Sequence, residues 1–345
     1  MAAVLCLAWG HLFLLEDGLM RHRILMRLTA ACALAVSFAP MIPTPVHADL
    51  TTVSMADLGL VTQAPVYVAM DRGYFAVEGL QVNLVPAKST PEVVTLLTTG
   101  DADFGASAPD AALFNAMAGG VDIHMLGSGG VFLPGTTASG LVVRQDLIDE
   151  GAYRGPADFR RRRIAVSSVQ SQFYAEQILA QAGLSASDVN FTTIGLPQMP
   201  AALQGHAVDA AWLVEPLISA SVAGGLGQLE GTGYDAMPGG VSWLVLASPR
   251  ASDDERATHF MRAYLQGLRD FYHAFWLKDA DPGPVLDSLA VHGSVHDREI
   301  LAKVAVHTVD PNAGIDVASL EQYQDYYVAT SNQERPIDLV QHIDR

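Results

Sequence analysis

The sequence predicts an α/β protein built as two similar halves, each a mostly parallel sheet flanked by helices. Three observations predict it. Short apolar runs of strand type alternate with helix-type runs over short connections, the pattern of parallel sheets with helices on their faces. The alternation restarts near residue 159 after a long apolar strand. From about residue 253 the chain reads as almost wholly helical.

The elements follow in order. "LTTVSMADLG" alternates and opens the first half as a strand. Gln63, Ala64 and Pro65 start a short helix, with proline in the first turn where its missing N–H costs nothing. Gly73 ends that helix as a left-handed cap. "LQVNLVP" is the second strand; "TPEVVTLLTTGDADFGASAPDAALFNAMAGG" reads as helix, turn, short strand and helix; "VDIHMLGSG" is another strand. "TASGLVVRQD" is a long apolar strand, after which "FRRRRIAVSS", "VQSQFYAEQILAQAGL" and "VNFTTIG" repeat strand, helix, strand. "MPAALQG", "AVDAAWLV", "EPLISASVAGG" and "VSWLVLAS" continue the alternation, and "HFMRAYLQGLRDFYHAFW" carries apolar residues at helical spacing. Extended strands at 141–144 and 242–247 join the halves. The expected division is a discontinuous first domain, residues 49–142 plus 242–345, around an inserted second domain, residues 143–241, with a cleft between them.

The chain has 345 residues and a formal charge of −17, which excludes the clustered cations that nucleic-acid binding needs. The basic run 160–163 reads as a solvated turn ahead of a strand. Both cysteines, Cys6 and Cys32, lie in the first 48 residues, so nothing beyond them supplies a disulfide, a thiolate metal site or a cysteine nucleophile. From Met20 onward Arg21, Arg23 and Arg27 precede an apolar run and the small-residue site V-H-A at 46–48. That is a signal-peptide pattern with cleavage after Ala48, and residues 1–19 read as a misplaced start. Thr29, three before Cys32, argues against a lipoprotein. No later stretch is apolar for long enough to span a membrane. An exported, soluble protein is expected.

In open α/β sheets ligands bind beyond the carboxyl ends of the strands, where the free N–H groups of the next helix point. Four such junctions stand out: "GLVTQAP", "SAPDAAL", "SSVQSQFY" and "LVEPL". They offer Gln63, Ser107, Ser168, Gln170, Ser171 and Glu215 as ligand contacts, and none contains Arg or Lys. An oxyanion held by N–H groups and hydroxyls, or a neutral or amino-bearing ring, both suit such a site. Phe132, Tyr174, Trp212 and Trp243 are candidates for stacking, with core packing as the plainer alternative. Glu215 reads either as a carboxylate at a helix start or as a ligand acceptor or latch across the cleft. "DFG" at 103–105 has no companion kinase motifs, and His292 and His296 lack an acidic partner for zinc.

"APVYVAMDRGYFAVEGLQVNLV", "LLTTGDADFGASAP", "DFRRRRIAV", "ALQGHAVDAAWLVEP" and "SWLVLAS" occur in this order. Together they resemble the periplasmic solute-binding proteins of ABC importers for sulfonates, taurine, nitrate and thiamine-pyrimidine precursors. The likeness runs over nearly all of residues 50–280. It implies a hinged, two-domain, type II periplasmic binding-protein fold, a small-molecule ligand, an ABC transporter permease as partner, a monomer, no cofactor and no catalysis. Glu215 matches the glutamate of the family's E-P motif. An enzymatic branch of this fold, which makes the thiamine pyrimidine, uses a cysteine-rich C-C-C-F-C motif that this chain lacks. A ligand-sensing protein on the same fold is the remaining alternative.

Overall fold

The computed structural model describes residues 50–252, 255–303 and 309–344. The expected signal peptide and cleavage site lie outside the described residues. Two five-stranded sheets organise the rest. The first contains β1 (Thr51–Asp57), β2 (Leu80–Pro86), β3 (Phe104–Ser107), β4 (His124–Val131) and β10 (Val241–Ala247), in the order β2-β1-β3-β10-β4. The second contains β5 (Ser139–Arg144), β6 (Arg163–Val166), β7 (Asn190–Thr193), β8 (Ala210–Val214) and β9 (Gly227–Thr232), in the order β7-β6-β8-β5-β9.

The two sheets have the same plan. In each, the strand in fourth position pairs antiparallel with both neighbours while the other pairs are parallel, so one strand runs against the rest. The reversed strands are β10 and β5. Each is the first strand laid down after the chain crosses between sheets, over residues 132–138 and 233–240. These are the two extended strands that the sequence placed between its halves.

Helices fill the connections. In the first half they include α1 (Ala64–Asp71), α2 (Thr90–Thr99) and α3 (Ala111–Ala118). In the second they include α4 (Val169–Gln181) and α5 (Leu217–Ala223). The tail adds α6 (Glu255–Tyr272), α7 (Gly283–His292) and α8 (Val317–Ala329). Ser89 caps α2 by accepting from the Glu92 N–H, and Pro65 sits in the first turn of α1, as its sequence predicts. Gly73 takes φ 72° and ends α1.

α6 shows why the tail returns to the first sheet. Ala257, Phe260, Ala263, Tyr264, Gly267, Leu268 and Phe271 form one buried stripe at three- and four-residue spacing. Phe260 stacks on Phe104 of β3, ring centroids 4.1 Å apart, and meets Phe75 at 5.0 Å. α8 behaves differently. Its tyrosines reach elements of both sheets, and one apolar core runs from Leu97, Leu113 and Phe114 through Tyr323 and Tyr327 to Tyr174, Ile178 and Trp212.

β9 was not foreseen: "GGLG" at 224–227 reads as loop in the sequence, and the strand starts at Gly227. Gly227 is there for closeness: a Cβ at this position would stand 2.2 Å from the Val143 carbonyl oxygen of β5. The basic run behaves as a turn. Arg160 pairs with Asp188, Arg162 donates to the Ala152 carbonyl at 2.8 Å, and Arg163 donates to the His206 carbonyl at 2.7 Å.

Candidate ligand-binding site

The four junctions sit at the carboxyl ends of β1, β3, β6 and β8, as expected from the fold. Their hydroxyls and carboxylates, however, serve their own chain. Ser107 is fully buried and donates to the Ala108 carbonyl at 2.8 Å. Ser168 and Ser171 cap α4 reciprocally: the Ser171 N–H donates to Ser168 Oγ at 3.2 Å, and Ser171 Oγ accepts from the Ser168 N–H at 2.9 Å. Gln63 Oε1 accepts from the Leu58 and Leu60 N–H groups at 3.0 and 3.2 Å and so pins the turn between β1 and α1. Glu215 accepts from the Ser219 N–H at 3.1 Å and from its hydroxyl at 2.8 Å, so it caps α5. Short polar side chains at a helix start compete for the same free N–H groups that a ligand would use.

The aromatics divide. Phe132 and Trp212 are buried in the core and both pack on Tyr174, with centroids 5.3 Å away in each case. Trp243 is half-buried on β10. The solvent-lined stack that the sequence allowed is therefore, for Phe132 and Trp212, core packing.

What sequence reasoning missed lies between the junctions. Asp110, the N-cap of α3, is 4% exposed. Its Oδ1 accepts from the Ala112 N–H at 3.3 Å, and the Ser168 hydroxyl and the Gln170 N–H also donate to the carboxylate. Burial pushes its pKa up; the Ala112 N–H, the Ser168 hydroxyl and the Gln170 N–H oppose that rise. The last two belong to the start of α4, so Asp110 of the first half stands against the amino end of a helix in the second.

Three tyrosines close around it. Tyr327 donates to the Pro109 carbonyl at 2.8 Å, and Tyr323 donates to the Val241 carbonyl at 2.9 Å. The Tyr174 and Tyr323 hydroxyls are 2.6 Å apart; with the Tyr323 proton on Val241, Tyr174 donates. Burial raises the pKa of Tyr174 and Tyr327 far beyond the usual phenol range, and the nearby Asp110 charge adds to it. The P-D-A-A-L pattern at 109–113 was the available signal for Asp110, but it is the signature of an ordinary cap.

Buried polar side chains in folded proteins are nearly always paired. Among the described residues, four buried side-chain atoms at the sheet-edge junctions and crossings have no partner: Thr62 Oγ1, Gln63 Nε2, Ser139 Oγ and Ser242 Oγ. Ser139 opens β5 and Ser242 is the second residue of β10, so both crossings lead into one. Beside this set, at the end of β1, Asp57 accepts from the Tyr67 hydroxyl at 2.6 Å, and burial raises its pKa despite that bond and the Gly59 N–H. A separate apolar cavity of ≈ 470 Å³ is lined by Val131, Leu133, Tyr272, Trp276, Val309 and Ile315 among others, and includes none of the residues expected from sequence. His292 and His296 turn to different partners, Asp71 at 2.9 Å and the Ala290 carbonyl at 2.7 Å.

Comparison with known proteins supplies the family. The NMT1/THI5-like family model matches residues 61–273, well over half of the chain. No curated protein sequence matches. Among solved structures, the alkanesulfonate-binding protein SsuA from Xanthomonas axonopodis pv. citri, bound to MOPS, is 17% identical with a TM-score of 0.66, covering 86% of this chain and 98% of that one. The periplasmic aliphatic sulphonate-binding protein SsuA from Escherichia coli is 17% identical with a TM-score of 0.67, over 85% and 97%. The periplasmic nitrate-binding protein NrtA from Synechocystis PCC 6803 is 16% identical with a TM-score of 0.58, over 78% and 70%. At these identities the structures share a fold with this chain, the periplasmic binding-protein fold with its two α/β domains. With that fold and the match over residues 61–273, the chain belongs to the NMT1/THI5-like family.

Proposed function

We propose that the chain is the substrate-binding component of an ABC import system. It holds a small organic or oxyanion nutrient between the carboxyl edges of its two sheets and delivers it to a membrane permease. The observation that carries this reading is the set of buried, unpartnered polar atoms gathered at the junctions and crossings. A ligand that pairs them removes a cost of about 1–3 kcal/mol for each group left unsatisfied. The two sheets then centre the two lobes, with β5 from Ser139 onward in the second lobe and the crossings 132–138 and 233–240 as the hinge. Closure of the lobes over the ligand presents the surface that docks on the permease.

The leader-like pattern at 20–48 supports export, and the proposed receptor is monomeric and without catalysis. The test is a native mass spectrum of protein purified from its own compartment, followed by calorimetric titration of the released compound. One solute bound one-to-one and recovered chemically unchanged is expected. Turnover of that solute, or a protein that carries and binds nothing, contradicts the proposal.

A further inference from the structure

We propose that α8 is a clamp between the two lobes: carried by the first, it grips α4 of the second through Tyr323 and Tyr326, and so adds to closure a contact that involves no solute. This rests on the solute-binding reading and deepens it, since the clamp sets the balance between the open and the closed receptor.

The tail is fastened to the first lobe. The Val241 N–H of β10 donates to Ser319 Oγ at 3.2 Å, and Tyr323 donates to the Val241 carbonyl at 2.9 Å. Tyr327 donates to the Pro109 carbonyl at 2.8 Å, and its ring centroid lies 5.8 Å from that of Phe114 in α3. Beyond the helix, Asn115 of α3 donates to the Asn332 carbonyl at 2.7 Å, and Arg335 donates to the Ala118 carbonyl at 2.8 Å. α8 therefore moves with the first sheet.

Its contact with the second lobe is carried by Phe173, Tyr174 and Glu176 of α4. Phe173 meets Tyr323 and Tyr326 edge-on, with centroids 5.3 and 5.0 Å away. Tyr174 donates to Tyr323 at 2.6 Å. Tyr326 donates to Glu176 Oε1 at 2.8 Å, and the same oxygen accepts from Gln172 at 2.8 Å. A hydroxyl on a carboxylate is a strong hydrogen bond, and the edge-on rings add to it. Tyr326 and Glu176 are only half-buried, so water reaches this outer bond and replaces either partner when the lobes part. The contact can thus open and re-form. It also stands beside the pivot. Tyr323 holds Val241, which follows the crossing 233–240, and Tyr174 packs 5.3 Å from Phe132, which begins the crossing 132–138. A small slip between α4 and α8 there becomes a wide opening at the far edges of the lobes.

The experiment measures the distance between the lobes in protein freed of solute by dialysis and shown empty by native mass spectrometry. Spin labels are placed on Ala76→Cys in the first lobe and Ala186→Cys in the second, both exposed, in a Cys6→Ser, Cys32→Ser background. Double electron–electron resonance is expected to show a short and a long distance. Tyr326→Phe keeps the ring and loses the hydroxyl; it lowers the short-to-long ratio about tenfold, Glu176→Ala does the same, and the two together do no more than either alone. Glu321→Gln, on the exposed side of α8, leaves the ratio unchanged. A ratio that neither Tyr326→Phe nor Glu176→Ala changes, or one that Glu321→Gln lowers as far, overturns the clamp and leaves the receptor. So does a wild type that shows only the long distance when empty and the short one once the compound released from the native protein is added back. A single distance in wild type, unmoved by that compound, overturns the closing receptor and the clamp with it.

Discussion

At the scale of residues, two carboxylates flank β3 and behave oppositely. Asp103 precedes the strand. Burial raises its pKa, but the Ser54 N–H and hydroxyl at 2.8 and 2.9 Å and the Arg250 guanidinium at 2.8 Å outweigh burial and hold it below the ordinary value. A depressed pKa contributes stability that is present above the unfolded value near 3.8 and is lost as pH falls through the folded value. Asp103→Ala is therefore expected to cost about 2–3 kcal/mol at pH ~7, with the gap to wild type closing in acid, as urea midpoints across pH would record. Asp110 follows the strand, and burial raises its pKa. Its contribution is full below the unfolded value and is lost as pH rises through the folded one, leaving a penalty at neutral pH. Asp110→Asn should thus melt higher than wild type at neutral pH by roughly 2–4 °C, about 1 kcal/mol, with the advantage vanishing in acid. A variant that gains stability while losing ligand marks a group kept for binding rather than folding. Asp110 was not legible as such, because its cap pattern is visible in the sequence while its burial comes from α4 and α8, far along the chain.

At the scale of elements, hydrophobic period and caps made most of the fold readable. α1 with Pro65 and Gly73, the alternating β1 and β2, and the amphipathic α6 all fall where their patterns put them. β9 fell outside that reading, since its glycines answer to a neighbour's backbone rather than to a turn. Gly267 in α6 is the same case inside a helix: a Cβ there would stand 2.1 Å from the Pro65 carbonyl oxygen and 3.0 Å from the Ala69 nitrogen of α1. Glycine normally weakens a helix interior, so its presence here reflects helix contact. Gly267→Ala is expected to destabilise by about 2–3 kcal/mol despite the better helix propensity. Denaturant unfolding checks it; a neutral or stabilising result would place α6 farther from α1 than described.

At the scale of the whole molecule, two sheets with one strand order and one reversed strand each are what the repeated alternation in the sequence encodes. The restart near residue 159 and the two extended strands were enough to read the doubling. The way the halves meet was not readable: α8 places Tyr323 and Tyr327 between α3 and α4, a contact with no local periodic signature. The Tyr174–Tyr323 bond must therefore slip if the lobes swing apart about the two crossings. The most direct test is small-angle X-ray scattering of the purified protein, with and without its own solute at saturation. A smaller radius of gyration with the solute is the expected result. An unchanged radius at full one-to-one occupancy would contradict a receptor that closes over its ligand.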